Sequence, residues 1–293
     1  MTNSLDDFDD ILSLDESLAR HTWLKLGGKA ERFYTPSSRD QLLSLIRACV
    51  SAAVPVRVLG SGSNLLVRDD VVAGAVILIV EPLLSDVDVS GDTVTAGGGA
   101  LLSHVVSESV RAGLAGLENV VGIPGTVGGA IVGNAGGRHA DIGEFVRQVE
   151  VVTHEGEVVE RTGDELAFSY RSSSVTDLAV LSATLQLRPD DSDDLAVRMK
   201  KIWIMKRSTQ PLADQSAGCI FRNPRGLSAG ALIEQCGLKD LSVGGARISD
   251  RHANFVVTDA AATSADVESL IDKVKVAVAE KFGVELELEI RKW

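Results

Sequence analysis

The sequence predicts a mixed α+β protein built from more than one packed unit. Its 293 residues are enough for two or three such units. Short apolar or alternating runs, typical of strands, are interrupted by glycine turns and by a few segments with helical spacing. The polar stretch 190–194 predicts a boundary, because residues 208–293 form an α+β pattern of their own.

The individual elements follow from the spacing of the apolar residues. Helical spacing predicts helices at 40–52, 101–112 and 195–207, and a last helix that ends at Gly283 and buries one apolar face formed by Val267, Leu270, Ile271, Val274 and Val278. Apolar or period-two runs predict strands at 55–59, 76–80, 87–89, 93–96, 149–153, 157–161, 180–187 and 284–290. The acidic residues 1–20 are expected to form a loosely packed leader.

Composition and charge narrow the classes of function. Hydrophobic residues make up 45% and charged residues 24%, a mixture typical of globular proteins. No run approaches the roughly 18 uncharged apolar residues of a membrane span, and the N-terminus lacks a signal-peptide pattern. The three cysteines have neither metal-ligand spacing nor a disulfide framework, so we expect a cytoplasmic protein without a metal site. The net charge of −12 and the lack of a long basic run argue against a nucleic-acid partner.

Two glycine-rich segments are candidates for ligand binding. Residues 58–70, VLGSGSNLLVRDD, place small residues directly after a strand, where backbone amides can form an anion-binding nest. The alternative is an ordinary tight turn. Residues 116–137, GLENVVGIPGTVGGAIVGNAGG, are glycine-dense but apolar, which indicates backbone packed against a flat ligand. The alternative there is a buried glycine-rich crossover.

Three further segments carry side chains suited to chemistry: FSYRSS at 168–173, SAGCIFRNP at 216–224 and LELEIRKW at 286–293. Each also has a structural interpretation. Arg171 could be a surface ion-pair partner, Cys219 a small buried apolar residue, and Glu289 the third exposed glutamate after Glu285 and Glu287. Cys49 and Cys236 keep the structural interpretation. Among the five histidines only His252 is a candidate contact, while the remainder are expected to be structural or exposed: His21, His104, His139 and His154.

In this order and spacing, these motifs resemble the UDP-N-acetylenolpyruvoylglucosamine reductase family over about residues 18–291. The resemblance implies a two-part FAD-binding domain of the vanillyl-alcohol-oxidase (PCMH) type at 21–192, with subdomains at about 21–70 and 71–192. It also implies a C-terminal α+β substrate-binding domain at 193–293, whose terminal strand returns Glu289 to the active site. The spacing of 48 positions from Arg171 to Cys219 suits the subgroup without a tyrosine-bearing lid.

The resemblance also implies the ligand contacts. The first loop would face the FAD pyrophosphate through Gly60, Ser61, Gly62, Ser63 and Asn64. The second would line the cofactor through Gly122, Ile123, Pro124, Gly125, Thr126 and Gly128. The UDP-sugar substrate would be bound by Tyr170, Asn223, His252, Arg207 and Gln210.

The implied reaction is the reduction of UDP-N-acetylglucosamine enolpyruvate by NADPH through FAD, with hydride passing from flavin N5 to C3 of the enolpyruvyl ether. Addition of hydride at C3 would leave negative charge at C2 as an enolate, and Arg171 would stabilise that enolate. Glu289 would assist by hydrogen bonding to the carboxyl group of the enolate. To donate that bond its side chain must be protonated, which would require a raised pKa of Glu289. Cys219 stands where many relatives have serine and would protonate C2, since a thiol is a stronger acid than an alcohol.

Two other functions stay open from the sequence. One is a different flavin oxidoreductase, such as an oxidase, on the same domain. The other is a UDP-sugar binder without catalytic activity. We expect a monomer that acts on a small molecule and contacts neither nucleic acid nor membrane.

Overall fold

The structure, a computed structural model, describes residues 4–137 and 139–293. Within these residues the α-helices are α1 Arg39–Ser51, α2 Leu102–Arg111, α3 Val127–Val132, α4 Ser192–Thr209, α5 Ala229–Gln235 and α6 Ser264–Phe282. The strands are β1 Leu12–Ser17, β2 Lys29–Tyr34, β3 Val56–Leu59, β4 Leu65–Leu66, β5 Val72–Leu78, β6 Val87–Ser90, β7 Thr93–Gly97, β8 Leu114–Ala115, β9 Val146–Val152, β10 Val158–Thr162, β11 Phe168–Ser169, β12 Ser172–Ser173, β13 Ala179–Gln186, β14 Arg188–Pro189, β15 Ser242–Val243, β16 Ala246–Ile248, β17 Val256–Thr258 and β18 Arg291–Lys292. Short 3₁₀ helices lie at Leu5–Ile11, Leu18–His21, Leu117–Val120, Ile142–Glu144 and Gly163–Glu165. The α+β prediction is confirmed.

The chain forms two compact units, and it passes between them several times. The first contains the described residues up to Asp15, then Glu31–Ser61 and Ala73–Ile204. The second contains Glu16–Ala30, Gly62–Val72 and Met205–Trp293. The predicted substrate domain at 193–293 therefore lacked two segments and began too early. The reason is hydrophobic, because Leu24, Leu26 and Leu66 are buried in the same core as the C-terminal helices.

The first unit contains two sheets. One has four strands in the order β1-β2-β5-β3, with β3 parallel to β5, and its core includes the buried face of α1. The other is antiparallel, in the order β10-β9-β13-β7-β6, and its core takes the buried residues of α2 and α3. The strands predicted at 149–153, 157–161 and 180–187 are confirmed as the centre and edge of this second sheet.

The expectation of a loosely packed leader is wrong for the residues that the structure describes. The Ser4 side chain caps the first 3₁₀ helix, and Phe8 is only 4% exposed in the core that contains α1. The next residues form β1. Acidic side chains dominate this stretch, so its few apolar residues gave a weak periodic signal, although Phe8 alone buries a large ring.

The second unit is organised by α6, which the sequence predicted well. Thr263 and Asp266 form a capping box at its start, and Gly283 ends it in the left-handed conformation with φ of 66°. The apolar face predicted for it is buried against the β15-β16-β17 sheet and α5. Strand β18 pairs in parallel with β4, which brings the C-terminus beside Leu65 and Leu66.

The strand predicted at 284–290 is not formed. Leu288 makes an isolated bridge with Phe221, and the regular pairing begins only at Arg291. The burial still alternates, with Leu286 buried between the exposed Glu285 and Glu287. A period-two pattern reports extended backbone with one buried side, and here the neighbouring segment is a loop instead of a strand.

Candidate active site

The two glycine-rich loops meet inside the first unit. Gly60 directly follows β3, and a Cβ atom added to it would lie 2.6 Å from Oγ1 of Thr126. Thr126 is the N-cap of α3, and its side chain accepts from the Gly129 amide at 3.4 Å. Only glycine allows this approach, so one residue of each predicted cofactor loop is in van der Waals contact with the other.

Ser61 offers a direct test of whether an FAD phosphate suits the first loop. Its hydroxyl oxygen is buried and has no hydrogen-bond partner among the described residues. A buried hydroxyl without a partner costs roughly 1–3 kcal/mol, and such groups are rare unless a ligand or water satisfies them. A phosphate oxygen is a suitable acceptor, so the loop fits the group that the sequence resemblance implies.

The remainder of the first loop belongs to the second unit and has contacts of its own. Gly62 has φ of +64°, and an added Cβ would lie 2.1 Å from the His21 carbonyl oxygen. The Asn64 side-chain amide donates to the carbonyl oxygen of Glu289 at 3.2 Å, and the Asn64 carbonyl accepts from the Arg291 amide at 3.1 Å. These contacts explain why glycine and asparagine stand here, while contact with the pyrophosphate stays a prediction.

The second loop is anchored against the glycine run that precedes α2. The Val127 amide donates to the Ala100 carbonyl and the Gly128 amide to the Gly98 carbonyl, each at 2.9 Å. Gly122 and Gly125 have φ of +75° and +131°, values that disfavour other residues. The segment is thus fixed at several backbone positions, while its contact with a flat ligand stays a prediction.

Arg171 lies at the tip of a small hairpin in the first unit. Strands β11 and β12 flank it, and its own φ is +54°. Its Nη1 lies 3.1 Å from Oδ1 of Asp141, and its Nη2 donates to the Gly136 carbonyl oxygen at 2.9 Å. The guanidinium also lies 5.0 Å from the centre of the Tyr170 ring. The Arg171 side chain is only 19% exposed, so its ion pair with Asp141 is partly buried and does not lie on the open surface.

The segments that carry Cys219 and Glu289 are neighbours in the second unit. The Glu289 amide donates to the carbonyl oxygen of Ile220 at 2.8 Å, so the two candidate residues sit on hydrogen-bonded neighbouring segments. Glu289 is only partly exposed, unlike Glu285 and Glu287, which departs from the interpretation of three equivalent surface glutamates.

Asn254 fixes the segment that carries Cys219. Its Oδ1 accepts from the Phe221 amide at 3.0 Å, and its Nδ2 donates to the Phe221 carbonyl at 2.7 Å. The Asn254 backbone carbonyl accepts from the Ile220 amide at 2.9 Å. Cys219 itself forms an isolated antiparallel β-bridge with Phe255, and it is partly exposed.

The other two cysteines behave as predicted. Cys49 is fully buried, and this burial raises the pKa of its thiol to about 11, so it is not a reactive group. Cys236 contacts the Ala277 carbonyl oxygen at 3.6 Å.

The candidate substrate contacts are distributed over both units. His252 packs edge-on to Phe255 at 4.8 Å, and burial lowers its pKa below the usual range. Its Nδ1 lies 3.2 Å from the Asn254 amide, so a neutral ring carries its proton on Nε2. Asn223 accepts from the Ala229 amide at the start of α5. The remaining three are exposed or partly exposed: Tyr170, Arg207 and Gln210.

The placement of Arg171 and Tyr170 relative to Cys219 and Glu289 stays a prediction, because the two pairs belong to different units. The sequence did not single out Asp141 or Asn254, which hold the candidate residues in place. Asn134, in the NAGG motif, was quoted only as part of the glycine-rich loop. Among the described residues, no group of three potential metal-ligating side chains occurs, and no helix is long and apolar enough to cross a membrane.

Comparison with known proteins is informative for both units. A family model described as "FAD binding domain" matches residues 30–162, and one described as "UDP-N-acetylenolpyruvoylglucosamine reductase, C-terminal domain" matches residues 210–293. The UDP-N-acetylenolpyruvoylglucosamine reductase of Heliobacterium modesticaldum is 41% identical over 294 residues, which covers 99% of this chain and 93% of that protein. The enzyme of the same name from Paramagnetospirillum magneticum is 40% identical over 282 residues. The crystal structure of UDP-N-acetylenolpyruvylglucosamine reductase (MurB) from Thermus caldophilus is also similar, with a TM-score of 0.82, 36% identity, and coverage of 96% of this chain and 99% of that one.

Proposed function

This chain belongs to the UDP-N-acetylenolpyruvoylglucosamine reductase family, and we propose that it uses NADPH to reduce UDP-N-acetylglucosamine enolpyruvate to UDP-N-acetylmuramate in peptidoglycan precursor synthesis. The observation that carries the proposal is the pairing of the Cys219 and Glu289 segments through the Ile220 carbonyl. It supports the proposal because the segments that carry the candidate proton donor and the candidate carboxyl group are hydrogen-bonded neighbours, and the second half of such a reduction needs both groups.

FAD is the cofactor that the matched binding domain takes. Ser61 would hold it, because its buried hydroxyl needs a partner, and Gly60 and Thr126 beside it would belong to the same site. When bound, FAD supplies the acceptor of hydride from NADPH and the donor of hydride to C3 of the enolpyruvyl ether. The side chains assigned to the second half-reaction are Arg171, Glu289 and Cys219.

Arg171 supplies positive charge for the enolate. Addition of hydride at C3 leaves an electron pair at C2 that delocalises into the substrate carboxylate. A partly buried guanidinium stabilises that developing charge more strongly than one in water, since the local dielectric is lower. Glu289 assists by hydrogen bonding to the same carboxyl group of the substrate, for which its own carboxyl group must carry a proton.

Cys219 supplies the proton to C2. A free thiol has a pKa of about 8.5 and so carries its proton at neutral pH, yet it loses it far more readily than an alcohol does. The proton moves from Sγ to C2 as the enolate collapses, and the thiolate regains a proton from solvent.

Anaerobic spectroscopy tests this proposal. The purified protein should contain FAD, lose its yellow colour on addition of NADPH, and regain it when the UDP-enolpyruvyl sugar is added. Reoxidation by oxygen but not by the sugar would point to an oxidase. A protein that binds the UDP-sugar without FAD would be a binder instead of an enzyme.

A further inference from the structure

The backbone of Arg171 is unusual for its residue type. Ser169 pairs with Ser172, so Tyr170 and Arg171 form a two-residue turn, and Arg171 adopts φ of +54°. Glycine or asparagine would be favoured at such a position, because other residues are strained there. Strained positions of this kind persist where the surrounding structure fixes them, and they concentrate at functional sites.

The guanidinium is held on three sides by groups of the same unit. Asp141 provides a carboxylate oxygen at 3.1 Å, Gly136 a carbonyl oxygen at 2.9 Å, and Tyr170 an aromatic face at 5.0 Å. The Arg171 and Asp141 side chains are 19% and 28% exposed. A partly buried ion pair with additional hydrogen bonds restricts orientation far more than an exposed pair does.

Asp141 is itself fixed by close packing. A Cβ atom added to Gly136 would lie 1.4 Å from Oδ1 of Asp141, so this glycine leaves the space that the carboxylate fills. The Asp141 amide donates to the Glu144 carboxylate at 3.0 Å. These contacts restrict the position of the carboxylate beside Arg171.

A buried asparagine ties the two loops together. Asn134 is 2% exposed; its Nδ2 donates to the Ser169 carbonyl oxygen at 2.7 Å, and its Oδ1 accepts from the Gly143 amide at 3.0 Å. Ser169 lies two residues before Arg171, and Gly143 lies two residues after Asp141. The distance between the Arg171 and Asp141 loops is therefore braced independently of the ion pair.

We propose that Asp141 is a positioning residue that holds the Arg171 guanidinium in its working orientation before the substrate binds. This rests on the proposed function, since it assigns a partner to the group that stabilises the enolate. Asp141 does not touch the reacting atoms. It acts through Arg171, and a misplacement of about 1 Å in such a group can slow a reaction by about 10²-fold.

The test measures the two half-reactions of the FAD-loaded enzyme separately, by anaerobic stopped-flow absorbance. Asp141→Asn keeps the shape and an acceptor oxygen but removes the charge. Reoxidation by the UDP-enolpyruvyl sugar should slow by about 10-fold, while FAD content and reduction by NADPH stay unchanged. Asp177→Asn is the matched control, because Asp177 pairs with Arg161 at 3.0 Å in the same unit. It should leave both half-reactions unchanged.

A double-mutant cycle separates positioning from a general structural role. In the Arg171→Ala background, Asp141→Asn should cause no further loss, because its partner is gone. Gly136→Ala, which displaces the carboxylate without removing charge, should reproduce the Asp141→Asn defect. An equal loss with and without Arg171 overturns the proposal, as does wild-type reoxidation by Asp141→Asn. Tighter substrate binding by Asp141→Asn would also overturn it, by showing that Asp141 competes with the substrate carboxylate. If Arg171→Ala itself is reoxidised normally, the proposed function fails at that residue instead.

Discussion

Replacing Asn254 by alanine should loosen the segment that carries Cys219. The Asn254 side chain is 3% exposed and makes two hydrogen bonds to the backbone of Phe221, which is 2% exposed. Alanine removes both bonds and leaves a buried amide and a buried carbonyl without partners. Each unsatisfied group costs about 1–3 kcal/mol, so the unfolding free energy of the second unit should fall by roughly 2–6 kcal/mol.

Urea unfolding followed by circular dichroism measures this loss. Asn119→Ala is the matched control, since its side chain makes one half-buried hydrogen bond, to the Gly116 carbonyl at 3.0 Å, and should cost about 1 kcal/mol. Reoxidation of Asn254→Ala by the substrate should also slow, because Cys219 loses its fixed position. An unchanged unfolding free energy for Asn254→Ala would refute the reasoning, because it would mean that water replaces both hydrogen bonds without penalty.

Three further predictions follow from individual side chains. Arg171→Ala and Glu289→Gln should leave reduction by NADPH intact and slow reoxidation by substrate by about 10²-fold or more, as for loss of an oxyanion donor; equal losses in both half-reactions would contradict the assignment. Cys219→Ser should keep substantial turnover and Cys219→Ala should lose most of it, and aerobic incubation with NADPH alone should inactivate the native thiol faster than the serine variant through oxidation to sulfenic acid. Equal inactivation rates, or normal turnover by the alanine variant, would contradict the assignment of the Cys219 thiol to the active site. Phe8→Ala should cost about 3–5 kcal/mol of unfolding free energy, while Leu14→Ala, at a side chain 67% exposed, should change it by less than about 0.5 kcal/mol; similar values for the two would restore the idea of a loose leader.

The helices were predictable because their signals are local. The expected helix at 40–52 is α1, Arg39–Ser51, and the one at 101–112 is α2, Leu102–Arg111. The end of α6 at Gly283 followed from a single glycine. In each case the apolar spacing lies within one stretch of chain, as do the capping residues of α1 and α6, so no knowledge of the partner surface was needed.

The errors arose where the partner lies far away in the sequence. Residues 62–72 join the second unit because β4 pairs with β18 at the other end of the chain, and nothing in the local sequence announces that pairing. The same holds for 284–290, whose neighbours include Ile220 and Phe221. Alternation of apolar residues reports which side is buried, but it cannot say whether the adjacent segment is a strand or a loop.

The candidate site divides in the same way. Arg171, Cys219 and Glu289 were predicted from the family resemblance of their segments, since periodicity alone would have favoured an exposed surface glutamate at 289. Asp141 and Asn254 were not, since an aspartate or asparagine that binds a distant backbone group has no sequence pattern of its own. Their roles depend on contacts 30 and 33 residues away along the chain.

Asn64 shows how closely the predicted cofactor loop and the predicted carboxyl group are connected. Its side chain and its carbonyl bind the backbone on either side of Ile290, at Glu289 and Arg291. A loop that holds the FAD pyrophosphate would therefore also fix the register of the terminal segment, because both depend on the same few residues. The backbone position of Glu289 is therefore tied to Asn64 through one side-chain hydrogen bond.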